Sequence, residues 1–410
     1  MNEPRTPAPR RILLVDCDQF FVQCARIADP EGAGRTPLLL VGGSVDGRGV
    51  VTSASYETRA FGVRSGMPTG RALRLCPEAT VVGVPRGLCG EKSRAIRTVL
   101  ERFAPVVEPA SIDEAYMDLS GTEGLYRGEA LADTARRVQE AVKAETDIAV
   151  SVGGGTAKLI AKLAVTKAKP AGVHVVPPGG EADFMRTLQL AAIPGVGPVF
   201  AERLKRLGMV SVEDALKYEE ATLGQWLGEN SGAWLHRRIR GIDEGRVEPD
   251  HEAKSLSRDE TFARDLDTAE ELETELLYLA LKLGRDLREE GLRARTVTVR
   301  IRDDDFRNRS AGRTLPEPIE SDRALYAVGR ELMTKLRSDR RVPARLLSIS
   351  ASGLSSGQGP RQLALFDEAA PEAELETERD RALSRAADDV RRRFGADAVR
   401  PGSLLDRRRR

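Results

Sequence analysis

In the stretch from Ser111 to Asp118, reading Ser-Ile-Asp-Glu-Ala-Tyr-Met-Asp, two adjacent carboxylates interrupt an otherwise apolar, strand-like run. Val106 and Val107 lead into it, Pro109 breaks the run, and Ala115, Met117 and Leu119 then alternate with Tyr116 and Asp118. A period of two is the pattern of a strand leaving a turn, so Asp113 and Glu114 are expected at a strand tip. Carboxylates that close repel and raise one another's pKa unless a cation or a basic partner holds them ionised. A third is available near the N-terminus, where Ile12, Leu13, Leu14 and Val15 form a short apolar strand ending in Asp16-Cys17-Asp18. Asp16, Asp113 and Glu114 could then share one cluster. Hard oxygen ligands without neighbouring His or Cys favour Mg²⁺ over Zn²⁺, and a pair of such ions is a standard clamp for phosphoryl transfer. An Asp-Glu doublet standing alone would more often be a solvated turn.

It does not stand alone. Val-Asp-Cys-Asp-Gln-Phe-Phe at 15 to 21, Ser-Tyr-Glu-Thr-Arg at 55 to 59 and the motif at 111 to 118 together resemble the Y family of translesion DNA polymerases. The resemblance runs in register from residue 11 to the mid-350s, and three motifs in order and spacing make chance agreement remote. It implies an α+β, right-hand polymerase with a ferredoxin-like palm, small fingers, a helical helix-hairpin-helix thumb and a βαββαβ little finger. It also implies an enzyme, a DNA-directed DNA polymerase that adds dNTPs to a primer 3′ end. The 3′ oxygen would attack the α-phosphate in line and pyrophosphate would leave, at low fidelity and without proofreading. Two Mg²⁺ ions would be held by Asp16, Asp113, Glu114 and the Cys17 carbonyl, with Asp18 supporting from beside. The partners implied are primer-template DNA and a dNTP, for a monomer.

Length and composition set wider bounds. A chain of 410 residues is too long for one core and suggests two to four units. With 31% charged, 40% hydrophobic and 4% aromatic residues it reads as helix-rich and globular, without a membrane span. The first eleven residues carry Pro4, Pro7 and Pro9 but no apolar signal-peptide core, which reads as a frayed lead-in and a cytoplasmic protein. Cys17, Cys24, Cys76 and Cys89 lack paired spacing and His174, His236 and His251 are isolated, so neither disulfides nor zinc are expected. The net charge of +1 argues neither for nor against a nucleic-acid partner.

In domain terms the resemblance implies a palm at 1–19 and 87–176, fingers at 20–86, a thumb at 177–244, a linker at 245–254, a little finger at 255–353 and a flexible tail at 354–410. In the fingers, Ser53, Tyr56 and Arg59 match residues around the incoming triphosphate. A phenol donates one hydrogen bond and a guanidinium grips two phosphate oxygens at once. Tyr-x-x-Arg is otherwise an ordinary surface-helix pair. Phe20 and Phe21 suit core packing. Both fall in the family's nucleotide pocket, and Phe21 matches its steric gate, an aromatic ring where a ribose 2′-hydroxyl would go. The palm is expected to run as a strand at 80–84, a helix at 91–103, the strand pair at 106–119, a helix at 131–146 and a strand at 148–152. Lys158 and Lys162 share a helix face and read as solvated. Lys169, in a Lys-Pro dipeptide, matches the family's triphosphate lysine. At 87–90 the chain has Gly-Leu-Cys-Gly where the family usually shows an aromatic.

Ile193-Pro194-Gly195-Val196-Gly197-Pro198 resembles a helix-hairpin-helix, whose Gly195 and Gly197 would expose backbone N–H groups to a DNA phosphate. The little finger is expected from strands at 255–262, 296–302 and 346–352 and helices at 272–287 and 324–336. In 296–302 the apolar residues take one face, leaving Arg300 and Arg302 for DNA phosphates on the other. In the tail, Gln362, Leu363, Leu365 and Phe366 resemble the peptide that docks bacterial polymerases on their sliding clamp. A helix beyond it carries Leu383, Ala387, Val390 and Phe394 on one face. Two rivals fail on this sequence. A non-catalytic DNA-binding adaptor would have lost the carboxylates, and a nucleotide cyclase would not explain the thumb and little-finger regions.

Overall fold

The computed structural model describes residues 9–356, apart from 46, 250 and 251, and residues 375–404, apart from 396. It divides into two units, Met1–His251 and Glu252–Arg410. Among the described residues no helix is long and apolar enough to cross a membrane.

The first unit begins with β1 (Ile12–Cys17), buried along its whole length, which is why it reads as a continuous apolar run and not as an alternation. Then come α1 (Phe20–Ala28), β2 (Leu39–Gly42), β3 (Val51–Ala54), α2 (Tyr56–Arg59), α3 (Thr69–Leu75), β4 (Thr80–Val82) and α4 (Arg86–Glu101). These are followed by β5 (Val106–Pro109), β6 (Glu114–Asp118), α5 (Leu131–Thr146), β7 (Val150–Gly155), α6 (Lys158–Ala168) and β8 (Val173–Val175). Five strands make one sheet in the order β5-β6-β1-β7-β8. Leu13, Val15 and Cys17 face the core that includes Val99 and Leu100 of α4 and Val138 and Val142 of α5. Ile12 and Leu14 point the other way, onto Ala161 and Val165 of α6. Asp16 is the next residue on that second face.

The sheet has the helices and the central strands expected of a palm, with one correction: the strand expected at 80–84 is β4, which pairs with β2 in a different sheet, and β8 stands at the edge of this one. The Gly87–Gly90 stretch is the first turn of α4, with Cys89 in the core. β7 runs two residues later than expected and ends in three glycines. A Cβ on Gly153 would stand 2.2 Å from the Ala161 carbonyl oxygen and 2.2 Å from the Val165 nitrogen. Only a bare backbone there lets α6 lie directly on β7.

β3, β2 and β4 form a separate three-stranded sheet. α1 straddles the expected palm–fingers boundary: Phe20 and Cys24 enter the palm core, whereas Val22 and Ala25 pack on Leu39 and Val41. Helices α7 (Glu181–Arg186), α8 (Pro198–Arg206), α9 (Val212–Leu216), α10 (Glu220–Leu227) and α11 (Glu229–Ile239) then enclose Met185, Leu204, Leu223, Leu235 and Ile239. The first half of the expected linker belongs to this unit. Val247 is buried against Ile12 and Leu14, and the Glu248 N–H donates to Glu108 at 2.8 Å.

The second unit runs β9 (Ser255–Leu266), α12 (Ala269–Glu289), β10 (Leu292–Asp303), β11 (Asn308–Ile319), α13 (Asp322–Asp339) and β12 (Ala344–Ser356), a βαββαβ series with sheet order β11-β10-β12-β9. Val297, Val299 and Ile301 share one core with Leu276, Leu283 and Val328 of the two helices. β11 escapes a hydrophobic reading because it is an edge strand with two prolines and a polar outer face.

The expectation of a flexible tail from 354 is corrected for its described residues, 354–356 and 375–404 apart from 396. β12 continues to Ser356, and residues from 375 on form α14 (Glu378–Phe394), docked on α12 and α13. Its contact is ionic: Arg288 is 2.9 Å from Asp322 and donates at 2.7 Å to Asp388, while Arg323 reaches Asp380 at 3.0 Å. Of the expected apolar face, Leu383 and Phe394 are 69% and 74% exposed, whereas Ala387 and Val390 are partly buried.

Gly153→Ala should lower the stability of the first unit by about 1–3 kcal/mol or more, since the clash is with backbone and cannot be relieved by a rotamer. A urea midpoint equal to wild type would show that α6 has room to move.

Candidate active site

β1 and β6 pair antiparallel with Asp16 opposite Glu114. The Ala110 and Ser111 N–H groups both donate to the Glu114 carbonyl, at 2.9 and 3.2 Å, closing a tight turn, and the Cys17 N–H donates to the Asp113 carbonyl at 2.9 Å. All three expected carboxylates therefore gather at one end of two adjacent strands. Opposed like charges destabilise a strand pair unless neutralised. Here α6 and its end supply the charge: Lys169 Nζ donates to Asp16 Oδ1 at 2.5 Å, and Lys162 Nζ donates to Glu114 and stands 3.9 Å from Asp16 Oδ2.

Asp113 is held separately, accepting from Ser111 Oγ at 2.5 Å. The side chains thus turn to individual partners, and among the described residues no three His, Cys, Asp or Glu side chains converge as a ready metal-ligand set. The donor chemistry still fits a hard divalent cation: carboxylate oxygens, a half-buried site and two ammonium groups already drawn to it. Burial pushes the Asp16 carboxyl up to about 6, although Lys169 and Lys162 pull it down. Burial, with Asp113 and Asp16 beside it, pushes the Cys17 thiol well above its usual range, so that side chain stays a neutral core group.

Asp18 does more than stand beside the site. Only 3% exposed, it accepts from the Tyr56 hydroxyl at 2.6 Å, from Ser151 Oγ at 2.9 and 3.1 Å and from the Ala171 N–H at 2.9 Å. It therefore joins β1, β7, the turn after Lys169 and the first residue of α2. Burial and this carboxylate push the Tyr56 phenol well above its usual range, so it remains a hydrogen-bond donor. Ser55 caps α2 by accepting from the Thr58 N–H. Arg59 stacks over the Tyr56 ring at 5.0 Å and donates through Nε to the Ala54 carbonyl at 3.0 Å, and Ser53 is buried on β3. Phe21 is half-buried between the two cores that α1 joins, edge-on to Phe20 at 5.5 Å. Phe20 is 1% exposed and packs in the core beneath it.

Lys158 and Lys162, both expected to be solvated, are instead paired, Lys158 with Glu108 and Lys162 with Glu114 at the site itself. For Lys162 the signal lay in its spacing, two helical turns before Lys169. Away from this site, Gly195 adopts φ +101°, where a Cβ would meet the Trp234 ring at 2.6 Å, and Gly197 precedes Pro198 at the start of α8. On the solvent face of β10, Arg300 pairs with Asp259 at 2.9 Å and Arg302 donates to Asn308 Oδ1 at 2.9 Å. Gln362, Leu363, Leu365 and Phe366 lie outside the described residues.

Residues 15–166 match the impB/mucB/samB family, residues 253–365 its C-terminal domain, and residues 191–243 the thumb domain of DNA polymerase-iota. A DNA polymerase IV of Dehalococcoides mccartyi strain CBDB1 is 35% identical over 96% of this chain and 97% of its own. One from Halorhodospira halophila is 37% identical over 86% of this chain and 98% of its own. Among solved structures, a Y-family DNA polymerase chimera superposes with a TM-score of 0.73 at 26% identity, covering 84% of this chain and 98% of its own. An insertion ternary complex of Dbh DNA polymerase does so at 0.60 and 26%, covering 83% and 98%.

Because the Asp16 carboxyl rises from 3.8 unfolded to about 6 folded, folding takes up a proton between those values. The stability this confers is complete below 3.8 and is lost as pH rises through about 6. In metal-free thermal melts wild type should therefore lose ground to Asp16→Asn as pH rises from about 4 to about 7. Parallel profiles would mean that the lysines keep Asp16 ionised throughout.

Proposed function

The chain belongs to the Y family of DNA polymerases, in the DNA polymerase IV group, and from that premise we propose how its site performs template-directed translesion DNA synthesis. Asp16, Asp113 and Glu114, with the Cys17 carbonyl, are the residues that would hold two Mg²⁺ ions. Such a pair supplies, when bound, a clamp on the attacking and leaving oxygens of an in-line displacement. The reaction is attack of the primer 3′ oxygen on the dNTP α-phosphorus, forming one P–O bond as the bond to pyrophosphate breaks. The observation that carries the reading is Asp16 opposite Glu114, with Asp113 beside them and two lysines neutralising the group. The reading is of synthesis at low fidelity and without proofreading, as the resemblance implies.

The remaining roles follow from what each group can do. Lys169 stands where it can exchange Asp16 for a triphosphate oxygen. Arg59 presents a fork suited to two phosphate oxygens, and Tyr56, kept protonated, donates one hydrogen bond. Phe21, wedged between two cores, is stiff enough to exclude a 2′-hydroxyl by volume. The Gly195–Gly197 turn offers N–H groups to a DNA phosphate, and Arg300 and Arg302 can trade their exposed side-chain partners for others. The chain works as a monomer, and Gln362 to Phe366 docks it on a sliding clamp, raising its local concentration at primer ends without touching the chemical step.

Asp113→Ala should abolish primer extension with Mg²⁺ while primer-template affinity stays within about threefold, because phosphate contacts elsewhere carry binding. Extension at near wild-type rate would sink the assignment. In the same assay Phe21→Val should admit ribonucleotides with deoxynucleotide incorporation less affected, and unchanged discrimination would make Phe21 plain core. Replacing both Leu365 and Phe366 with Ala should remove stimulation by purified clamp and loader yet spare clamp-free synthesis. Surviving stimulation, or a collapsed basal rate, would assign the peptide a structural role.

A further inference from the structure

Lys162 has no part in the nucleotide pocket described above, yet its ammonium spans the two opposed carboxylates. It donates to Glu114 and lies 3.9 Å from Asp16 Oδ2. Two lysines near it, Lys158 on α6 and Lys169 just past its end, are engaged differently. Lys158, one turn earlier, is taken by both oxygens of Glu108 at 2.6 and 2.7 Å, and Lys169 by Asp16 Oδ1 at 2.5 Å. Glu114 therefore owes its orientation to Lys162, as Asp113 owes its own to Ser111. Side chains turned to separate partners explain why the three carboxylates share a strand end without converging.

Lys162 occupies one Glu114 oxygen and stands 3.9 Å from Asp16 Oδ2, so a divalent cation drawn to the same carboxylates competes for that oxygen and repels the ammonium beside it. The Lys162 side chain is 30% exposed and sits on a helix surface, so it has somewhere to go. We propose that Lys162 is an internal competitor for the metal site, a positioning residue that holds Glu114 and Asp16 in the metal-free arrangement and is displaced as a divalent cation enters. The proposal rests on the metal-site reading above. It has two consequences. Metal affinity of the free protein is set by exchange of one cation for another and is lower than three carboxylates would otherwise give. Metal entry also releases an ammonium beside the triphosphate site, which couples the filling of the two.

The test is Mn²⁺ binding to the full chain without DNA or nucleotide, read from the electron paramagnetic resonance signal of free Mn²⁺. Lys162→Met should bind at least about fivefold more tightly than wild type, the lower end of ordinary coupling between two sites. Lys162→Arg, which keeps the charge, should stay near wild type, and Lys158→Met should change nothing. Thermal melts give a second reading: without metal Lys162→Met should melt below wild type, and saturating Mn²⁺ should raise its melting temperature by more. Lys162→Gln serves if the methionine variant does not fold. Unchanged or weaker Mn²⁺ binding in Lys162→Met, where Asp113→Ala abolishes binding, overturns the competitor role and leaves the metal site standing. Binding that Asp113→Ala does not reduce overturns the metal-site reading itself, whatever Lys162 does.

Discussion

Asp16 and Glu114 face one another across two hydrogen-bonded strands, and this opposition of like charges is the constraint the rest of the first unit answers to. Directly opposed side chains in an antiparallel pair stand about 5 Å apart at Cβ. Two charges about 4 Å apart near a protein surface interact by about 4 kcal/mol, a large share of a domain's stability. A cation has to be brought close, and the chain brings α6. The helix can reach the carboxylates only because β7 ends in glycines. At Gly153 its backbone lies where a side chain would be, and at Gly155 Ile160 does. Small residues on a strand, close approach of a helix, reach of Lys162 and Lys169, and tolerance of three acids at one strand end form a single causal chain.

Asp18 solves a different problem, that of holding a small separate sheet to the palm. Three donors from three places in the chain converge on one nearly inaccessible carboxylate: the Tyr56 hydroxyl, Ser151 Oγ and the Ala171 N–H, with the Ser151 hydroxyl within reach of both oxygens. A buried charge left unpaired is expensive, and one fully hydrogen-bonded fixes geometry. The residue that opens α2 is thereby tied to the residue after Lys169-Pro170, so the elements expected to grip opposite ends of a triphosphate are registered against each other before any substrate arrives.

Much of this was legible in the sequence because it rests on local signals. The apolar run at 12–15, the alternation from 115 to 119 and the glycine-bracketed turn at 193–198 each encode their element through periodicity or turn chemistry. What was not legible depends on contacts far apart in the chain. Nothing near Lys162 says that its partner is Glu114, and nothing in Asp-Cys-Asp tells which aspartate will brace Tyr56. Phe20 and Phe21 are adjacent and chemically identical, and only the placement of α1 between two cores seals one and leaves the other half-open. Polar edge strands such as β11 carry too little apolar pattern to be separated from loop by composition, and the βαββαβ order is what requires a strand there.

The C-terminal helix shows the same limit from the opposite side, since its periodicity was real but the two largest residues of its apolar face, Leu383 and Phe394, point to solvent. Leu383 and Phe394 do form a stripe, but the face against the second unit is built from Asp380, Ser384 and Asp388. Glu376 accepts from the Glu320 N–H at 2.8 Å and from the Ser321 N–H, satisfying donors where α13 begins, while Arg288, nearly sealed, lies between Asp322 and Asp388. Burying such groups offsets much of what their attraction contributes, so this docking adds less stability than an apolar one of equal area. What it adds is register: carboxylates and guanidiniums that must all find partners permit few alternative seatings of the helix, whereas an apolar stripe could slide by a turn and lose little. A helix seated by charge, with Leu383 and Phe394 left outside, is fixed in register more than it is fixed in strength.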